Sequence, residues 1–324
     1  MKLMLLVMDE QRVILDHLYE MIRVHSGTCE IFRLNSSQQR NLGAFLASVA
    51  YRDYERIILF TRVKRQLSQL PVLRCIPGLV ILEHDACQNY MAESKYRGAY
   101  SKLFASLPWA RAIVSGCGVA RRLQGEGVDA VFVSKGYDER LLRDLGRPRD
   151  VPVAFLGSFR SDAYAGRRAV LERIAAATDL LVTRTSSGAE YLELLNRIRI
   201  FVSADVGMGE YMIKNFEAMA CGCTLLAWFQ GGEEEAALGL QDMQNVVLYR
   251  SAEEAIAKID WLLANPEQAR QIADQGKAFV ERNYGFARVG RDIAQAVLQP
   301  MRPWPGVGRL RRGWVKWRYG MEVA

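Results

Sequence analysis

The chain is poor in the side chains that metal and disulfide chemistry need. It has three histidines (His17, His25 and His84) and six cysteines, of which only Cys221 and Cys223 are neighbours. No Cys/His spacing suits a zinc site. A helix end followed by a tight turn places Cys221 and Cys223 poorly for a disulfide, so reduced thiols in a cytosolic protein are the simplest expectation. No Gly-x-Gly-x-x-Gly follows an apolar run, which argues against a dinucleotide-dependent dehydrogenase. No Gly-x-x-x-x-Gly-Lys-Ser/Thr occurs, which removes P-loop phosphoryl transfer. Apolar runs such as Leu3–Met8 are strand-sized, far short of the roughly 18 residues that cross a bilayer. The first of them ends at Asp9-Glu10 with no small-residue cleavage site after it, so it reads as a first strand and not as a secretion signal. A cytoplasmic protein, with peripheral contact to the inner face of the membrane as an option, is the expectation.

What is present is ordinary globular composition. Of 324 residues, 50% are hydrophobic and 24% are charged, and the length suits two cores. The formal charge of +7 is concentrated at one end. Residues 300–324 carry six basic residues (Arg302, Arg309, Arg311, Arg312, Lys316 and Arg318) against Glu322 alone. A nearly neutral body with a basic tail is not the pattern of a nucleic-acid-binding fold, and no nucleic-acid partner is expected.

Short apolar runs alternate with helical periodicity. Strands are predicted at Lys2–Val7, Glu30–Leu34, Arg56–Thr61, Leu79–Glu83, Ala112–Ser115 and Ala130–Ser134, with helices between them, among them Gln39–Ala50 and Ala92–Leu107. The pattern weakens where Gly146, Pro148 and Pro152 cluster, and it restarts at Val151–Leu156. Strands at Leu180–Thr183, Ile200–Ser203, Thr224–Trp228 and Val246–Tyr249 follow, and helices at Glu253–Ala264, Glu267–Arg282 and Arg288–Leu298 close the second unit. Ser251 with Glu254 three residues on reads as a capping box. This alternation predicts an α/β protein made of two Rossmann-like, doubly wound domains: residues 1–148, residues 149–299 and a basic aromatic tail, 300–324. Ligands of such domains bind at the carboxyl ends of the strands, here in the cleft between the two.

The most informative stretch is Lys214-Asn215-Phe216-Glu217-Ala218-Met219-Ala220-Cys221-Gly222, a helix that ends on a Gly just before a buried strand. A helix N-terminus offers unpaired N–H groups and partial positive charge, which suits a phosphate. Lys214 adds a cation and Glu217 an acceptor for sugar hydroxyls. The run resembles the signature of retaining GT-B glycosyltransferases of the group 1 (family 4) type. The resemblance continues at Gly157-Ser158-Phe159-Arg160, a Gly after the first strand of the second half with basic residues beyond it. It continues again at Lys135-Gly136-Tyr137-Asp138, which is similar to the Asn-Gly-Val-Asp element that ends the first domain in that family. It covers residues 75–298, and the first 70 residues match in topology only. The family's first acid, eight residues before the helix Glu, falls on Gly209, and Glu210 stands one residue out of register. The chain looks like the branch that keeps a basic residue three before the Glu.

The resemblance implies a metal-independent, retaining glycosyltransferase with no cofactor, using a UDP- or GDP-sugar as substrate. No Asp-x-Asp occurs, so the ligands of the metal-dependent GT-A design are missing. On this reading His84, Lys214 and Glu210 are the catalytic candidates. Gly157, Arg160, Gly209, Lys214, Asn215, Phe216 and Glu217 are the donor-binding candidates. Glu83, His84 and Asp85, at the end of a first-domain strand, face the acceptor. The implied acceptor is a glycan or glycolipid, of the lipopolysaccharide or other bacterial surface type. A non-catalytic glycan- or partner-binding module and a sugar-nucleotide epimerase on the same fold are the alternatives. The tail, residues 302–319, mixes basic residues with Trp304, Trp314 and Trp317, which suits an anionic membrane surface; a disordered or domain-docking terminus is the second reading of that composition and nucleic-acid contact the third.

Overall fold

The computed structural model describes residues 1–10, 13–158 and 164–323. Lys2–Met8 (β1), Thr28–Leu34 (β2), Arg56–Phe60 (β3), Leu79–Glu83 (β4), Arg111–Val114 (β5) and Asp129–Phe132 (β6) form a six-stranded parallel sheet in the order β2-β1-β3-β4-β5-β6. Val151–Leu156 (β7), Leu181–Thr183 (β8), Ile198–Ser203 (β9), Thr224–Trp228 (β10) and Val247–Tyr249 (β11) form a second parallel sheet in the order β11-β10-β9-β7-β8. Each sheet has helices on both faces. This is why β1 reads as an unbroken apolar run: Met4 and Leu6 face one core, while Leu3, Leu5 and Val7 face another. The register sets Leu5 beside Ile31 on β2 and Ile58 on β3.

Every predicted strand is present within a residue or two. Two helical expectations change. The stretch read as one helix from Gln39 to Ala50 is two short helices, Ser36–Arg40 and Leu42–Ala47, because Asn35 caps the first through Ser37 and Gln38 and the chain bends at Asn41. The helical stretch expected over Ala92–Leu107 is confined to Ala99–Ala105. At Ser251 the cap forms, with Glu254 N–H donating to Ser251 Oγ at 3.1 Å.

The domain boundary at the carboxyl end is also redrawn. The last helix assigned to the second unit, observed as Phe286–Leu298, returns to the first domain and packs on the helix Asp16–His25. Phe286, Val289, Ile293 and Val297 fill the same core as Leu3, Leu5 and Leu18. Close approach is possible because Gly290 has no side chain; a Cβ there would lie 2.5 Å from Met21 Cβ. The tail follows it onto the same domain. Trp304 Nε1–H donates to Arg74 O at 3.1 Å, and Arg302 donates to Pro108 O at 3.3 Å. A helix, Arg309–Tyr319, then lies along the first domain with Val315 fully buried.

Candidate active site

The carboxyl ends of both sheets face one another across a cleft of about 530 Å³. The first domain contributes Thr61 and Arg62 after β3, Glu83, His84 and Asp85 at the end of β4, and Lys135 after β6. The second contributes Gly157 after β7, Arg184 and Thr185 after β8, Asp205 after β9, and Lys214. A smaller pocket of about 240 Å³ adjoins it on the second domain, lined by Lys214, Glu217, Tyr191, Thr185 and Gly188, with Val13, Ile14 and Phe286 on its far side. Lys214 belongs to both cavities and joins them.

The helix Ile213–Ala220 begins at this junction. Lys214 Nζ donates to Leu156 O at 2.9 Å and sits 5.1 Å from the Tyr191 ring centroid. Burial pulls the Lys214 ammonium below its usual range, and Arg167 and Arg184 pull the same way while Glu217 opposes them. Three cations thus converge on one side of the cleft. Arg167 is partly neutralised by Asp205, whose Oδ1 lies 2.7 Å from Nη2, but it remains beside the cavity. Such a cluster favours a dianionic guest, which relieves the mutual repulsion.

Glu217 is buried and accepts a 2.6 Å hydrogen bond from the Tyr191 hydroxyl at the floor of the smaller pocket. Burial pushes its carboxyl up, against the Tyr191 bond and Lys214. Tyr191 and Arg184 carry no motif that singles them out in the sequence. Tyr191 is found only because its helix, Ala189–Arg197, packs against the signature helix.

Asp205 organises the loop before that helix. Its Oδ2 accepts from Ser203 Oγ, Met212 N–H and Asn215 Nδ2 at 3.0, 3.2 and 2.8 Å. Asn215 is therefore turned into the protein and does not line the cleft. Phe216 likewise packs in the second core against Tyr284. Gly209 takes a left-handed φ of 67° and donates its N–H to Gln230 Oε1. That turn carries Glu210 away from the cleft lining. Its Oε2 lies 3.0 Å from Lys135 Nζ and accepts from Ser115 Oγ at 2.7 Å, both groups of the first domain. Glu210, expected as a catalytic candidate, is thus an interdomain strut and does not line the cleft. A second strut lies alongside: Glu234 Oε2 accepts from the Cys117 and Gly118 N–H groups at 2.7 and 3.3 Å, at the start of the helix Cys117–Gly125.

Gly157 lines the cleft, where a Cβ would lie 2.8 Å from the Phe155 ring. Arg160 lies outside the described residues. His84 is half-buried, packs edge-on to Phe60 at 5.0 Å and has an enclosed Nε2. Burial, with Lys135 nearby, depresses its pKa to about 3, so the imidazole is neutral near pH 7. Glu83 is buried beside it, and burial followed by Asp85 raises its pKa to about 8. Asp85 is exposed at the cleft. Away from this cleft, His17 and Glu139 approach to 3.0 Å with Asp138 nearby. Glu139 already accepts from Phe286 and Ala287 N–H, so through His17 it ties the start of the returning helix to the first domain.

Comparison with known proteins agrees with this architecture. Residues 137–295 match the family model described as glycosyl transferase-like. No curated protein matches the sequence. Among solved structures, HepE from Anabaena in complex with UDP-glucose superposes with a TM-score of 0.67 at 14% identity, over 91% of this chain and 99% of that one. A glycosyltransferase from Rickettsia africae gives 0.60 at 11% identity, over 92% and 99% of the two chains. The T4 phage β-glucosyltransferase gives 0.59 at 11% identity, over 92% and 100%. The protein has the GT-B fold of these glycosyltransferases, and its second domain matches the glycosyl transferase-like family.

Proposed function

We propose that the protein is a glycosyltransferase that moves a sugar from a nucleotide-sugar donor to a glycan or lipid-linked acceptor of the bacterial surface type. The observation that carries this reading is the junction at Lys214, where a cationic cleft between two doubly wound domains meets a smaller pocket floored by Glu217. The cleft side suits the diphosphate, held by Lys214, Arg184 and the start of the signature helix. The pocket suits the nucleoside, with Glu217 accepting from ribose hydroxyls and Tyr191 fixing the carboxylate. Positive charge already in place where the leaving diphosphate gains charge is worth the most to catalysis. The structural neighbours solved with UDP-glucose support the donor class.

On this reading the acceptor enters from the β4 side. The neutral His84 orients its hydroxyl by hydrogen bonding; a base of such depressed pKa does not carry the proton at neutral pH. Closure of the domains favours transfer over hydrolysis by excluding water. The resemblance to group 1 enzymes supports retention of anomeric configuration without a metal. One neighbour, the T4 enzyme, has been solved with UDP and Mn²⁺, so metal dependence needs its own test.

Thermal-shift and calorimetric screening against UDP, GDP and their sugars comes first. A stabilising nucleotide sugar supports the reading, and failure of every nucleotide and nucleotide sugar to bind overturns it. With a donor in hand, nucleotide release is measured with lipid extract as acceptor, with and without chelator, and the product anomer is read by NMR.

A further inference from the structure

The helix Arg309–Tyr319 has two unlike faces. Val315 is fully buried against the first domain, with Tyr319 packed beside it. The opposite side carries Leu310, Trp314 and Trp317, spaced i, i+4, i+7 on one stripe. Leu310 is 92% exposed and Trp317 80% exposed, the highest values among the large hydrophobic residues described. Helical spacing places Arg309 and Lys316 along one flank of the stripe and Arg311 and Arg318 along the other. The helix contains no acidic residue, and the nearby Glu322 pairs with Lys316 at 3.0 Å.

A buried stripe explains why the helix is held; it does not explain why Leu310 and Trp317 stand in solvent. Trp next to Arg or Lys is the composition of a surface that rests at the headgroup level of a bilayer, with the rings at the acyl boundary and the cations on the phosphates. We infer that this outer face docks the first domain onto an anionic phospholipid surface. The occupant follows from charge complementarity: a basic rim needs anionic headgroups, and an apolar centre needs somewhere dry to go. A soluble polyanion leaves both side chains in water, and bases that stack on Trp317 leave Leu310 exposed. The inference does not depend on the proposed transferase activity.

Only this helix carries the inference. Arg302 and Trp304 belong to the same basic aromatic tail but are spent on anchoring it to Pro108 and Arg74.

The test is flotation of the full chain with phosphatidylglycerol-containing vesicles and with pure phosphatidylcholine vesicles, together with tryptophan emission. Binding to the anionic vesicles, a blue shift of emission and release by salt are expected. Leu310→Ser with Trp317→Ser should lower the partition coefficient about tenfold or more. Arg309→Gln and Arg318→Gln should each lower it about fivefold. All four positions are exposed, so unchanged far-UV dichroism and melting temperature are expected in both sets. Failure to bind anionic vesicles overturns the inference, as does equal binding by wild type and the Leu310/Trp317 variant. Displacement of wild type from vesicles by an oligonucleotide that binds the Leu310/Trp317 variant equally well would also overturn it, because a polyanion site independent of the stripe would then account for the basic rim.

Discussion

Lys135 Nζ lies 3.0 Å from Glu210 Oε2, each almost completely buried, and the pair bridges the two domains behind the cleft. Lys135 follows β6 of the first domain, and Glu210 sits on the loop that leads to the signature helix. Ser115 Oγ, also of the first domain, donates to the same Oε2 at 2.7 Å. The relative placement of the two walls of the cleft therefore rests partly on one ion pair.

Breaking that pair leaves an uncompensated buried charge. Lys135→Met or Glu210→Leu alone should cost about 3–5 kcal/mol, and the double variant Lys135→Met/Glu210→Leu should recover part of that loss. Urea denaturation followed by tryptophan fluorescence measures each corner of the cycle. Simple additivity of the two single losses would show that the pair is not coupled.

The groups at the end of β4 set opposite pH dependences. Glu83 keeps its proton in the folded protein up to about pH 8, whereas its ordinary value is 4.5. Its contribution to stability is full below the ordinary value and is lost as pH rises through about 8. Glu83→Gln should remove that alkaline loss and melt higher than wild type above it. His84 has its pKa depressed to about 3 from 6.5, so its contribution is full above 6.5 and lost as pH falls towards 3. Its ring proton resonances should stay constant from neutral pH down to about pH 5, where a free histidine has already titrated. A titration midpoint near 6.5 would contradict this placement.

Lys214→Ala should weaken binding of UDP or GDP about 10- to 100-fold, the usual worth of a charge-assisted contact to phosphate. Glu217→Gln should weaken nucleotide binding less and leave the fold intact, since the Tyr191 hydroxyl can still donate to the amide oxygen. Burial holds the Lys214 pKa down, and a bound diphosphate should raise it. Calorimetry in buffers of different ionisation heat should then show proton uptake on binding at alkaline pH. Equal affinities in wild type and both variants would move the nucleotide elsewhere.

Gly290→Ala tests the redrawn boundary. A Cβ 2.5 Å from Met21 Cβ and 3.0 Å from Ile22 N has to push the returning helix off the first domain. A loss of about 1–3 kcal/mol is expected. Gly118→Ala, where a Cβ meets nothing within 4 Å, is the neutral control. A neutral Gly290→Ala would mean that the two helices do not touch as described.

Much of the fold was legible along the chain. Strands buried on both faces are runs of Val, Ile and Leu, and each parallel strand must be followed by a crossover, so the two-domain α/β reading needs only local pattern. That Lys214, His84 and Gly157 line the cleft and Glu217 its adjoining pocket was legible for the same reason, because residues just after strands or at a helix start face the space between the two sheets. Tyr191 and Arg184 were not, since they reach the site through packing between segments and not through spacing. Asn215 and Phe216 show the converse: they belong to the signature run, yet helical periodicity turns them inward.

The sequence by itself determined the element order, the parallel sheets, the charge concentrated in the tail and the cation and carboxylate of the signature helix. Each follows from hydrophobic periodicity, composition or nearest-neighbour chemistry. Tertiary structure alone decided that Phe286–Leu298 returns to the first domain, that Glu210 meets Lys135 instead of the cleft, and that the tail helix buries Val315 while exposing Trp317. Those outcomes depend on which surfaces come together across long chain separations, and burial energy between distant segments has no signature in local sequence.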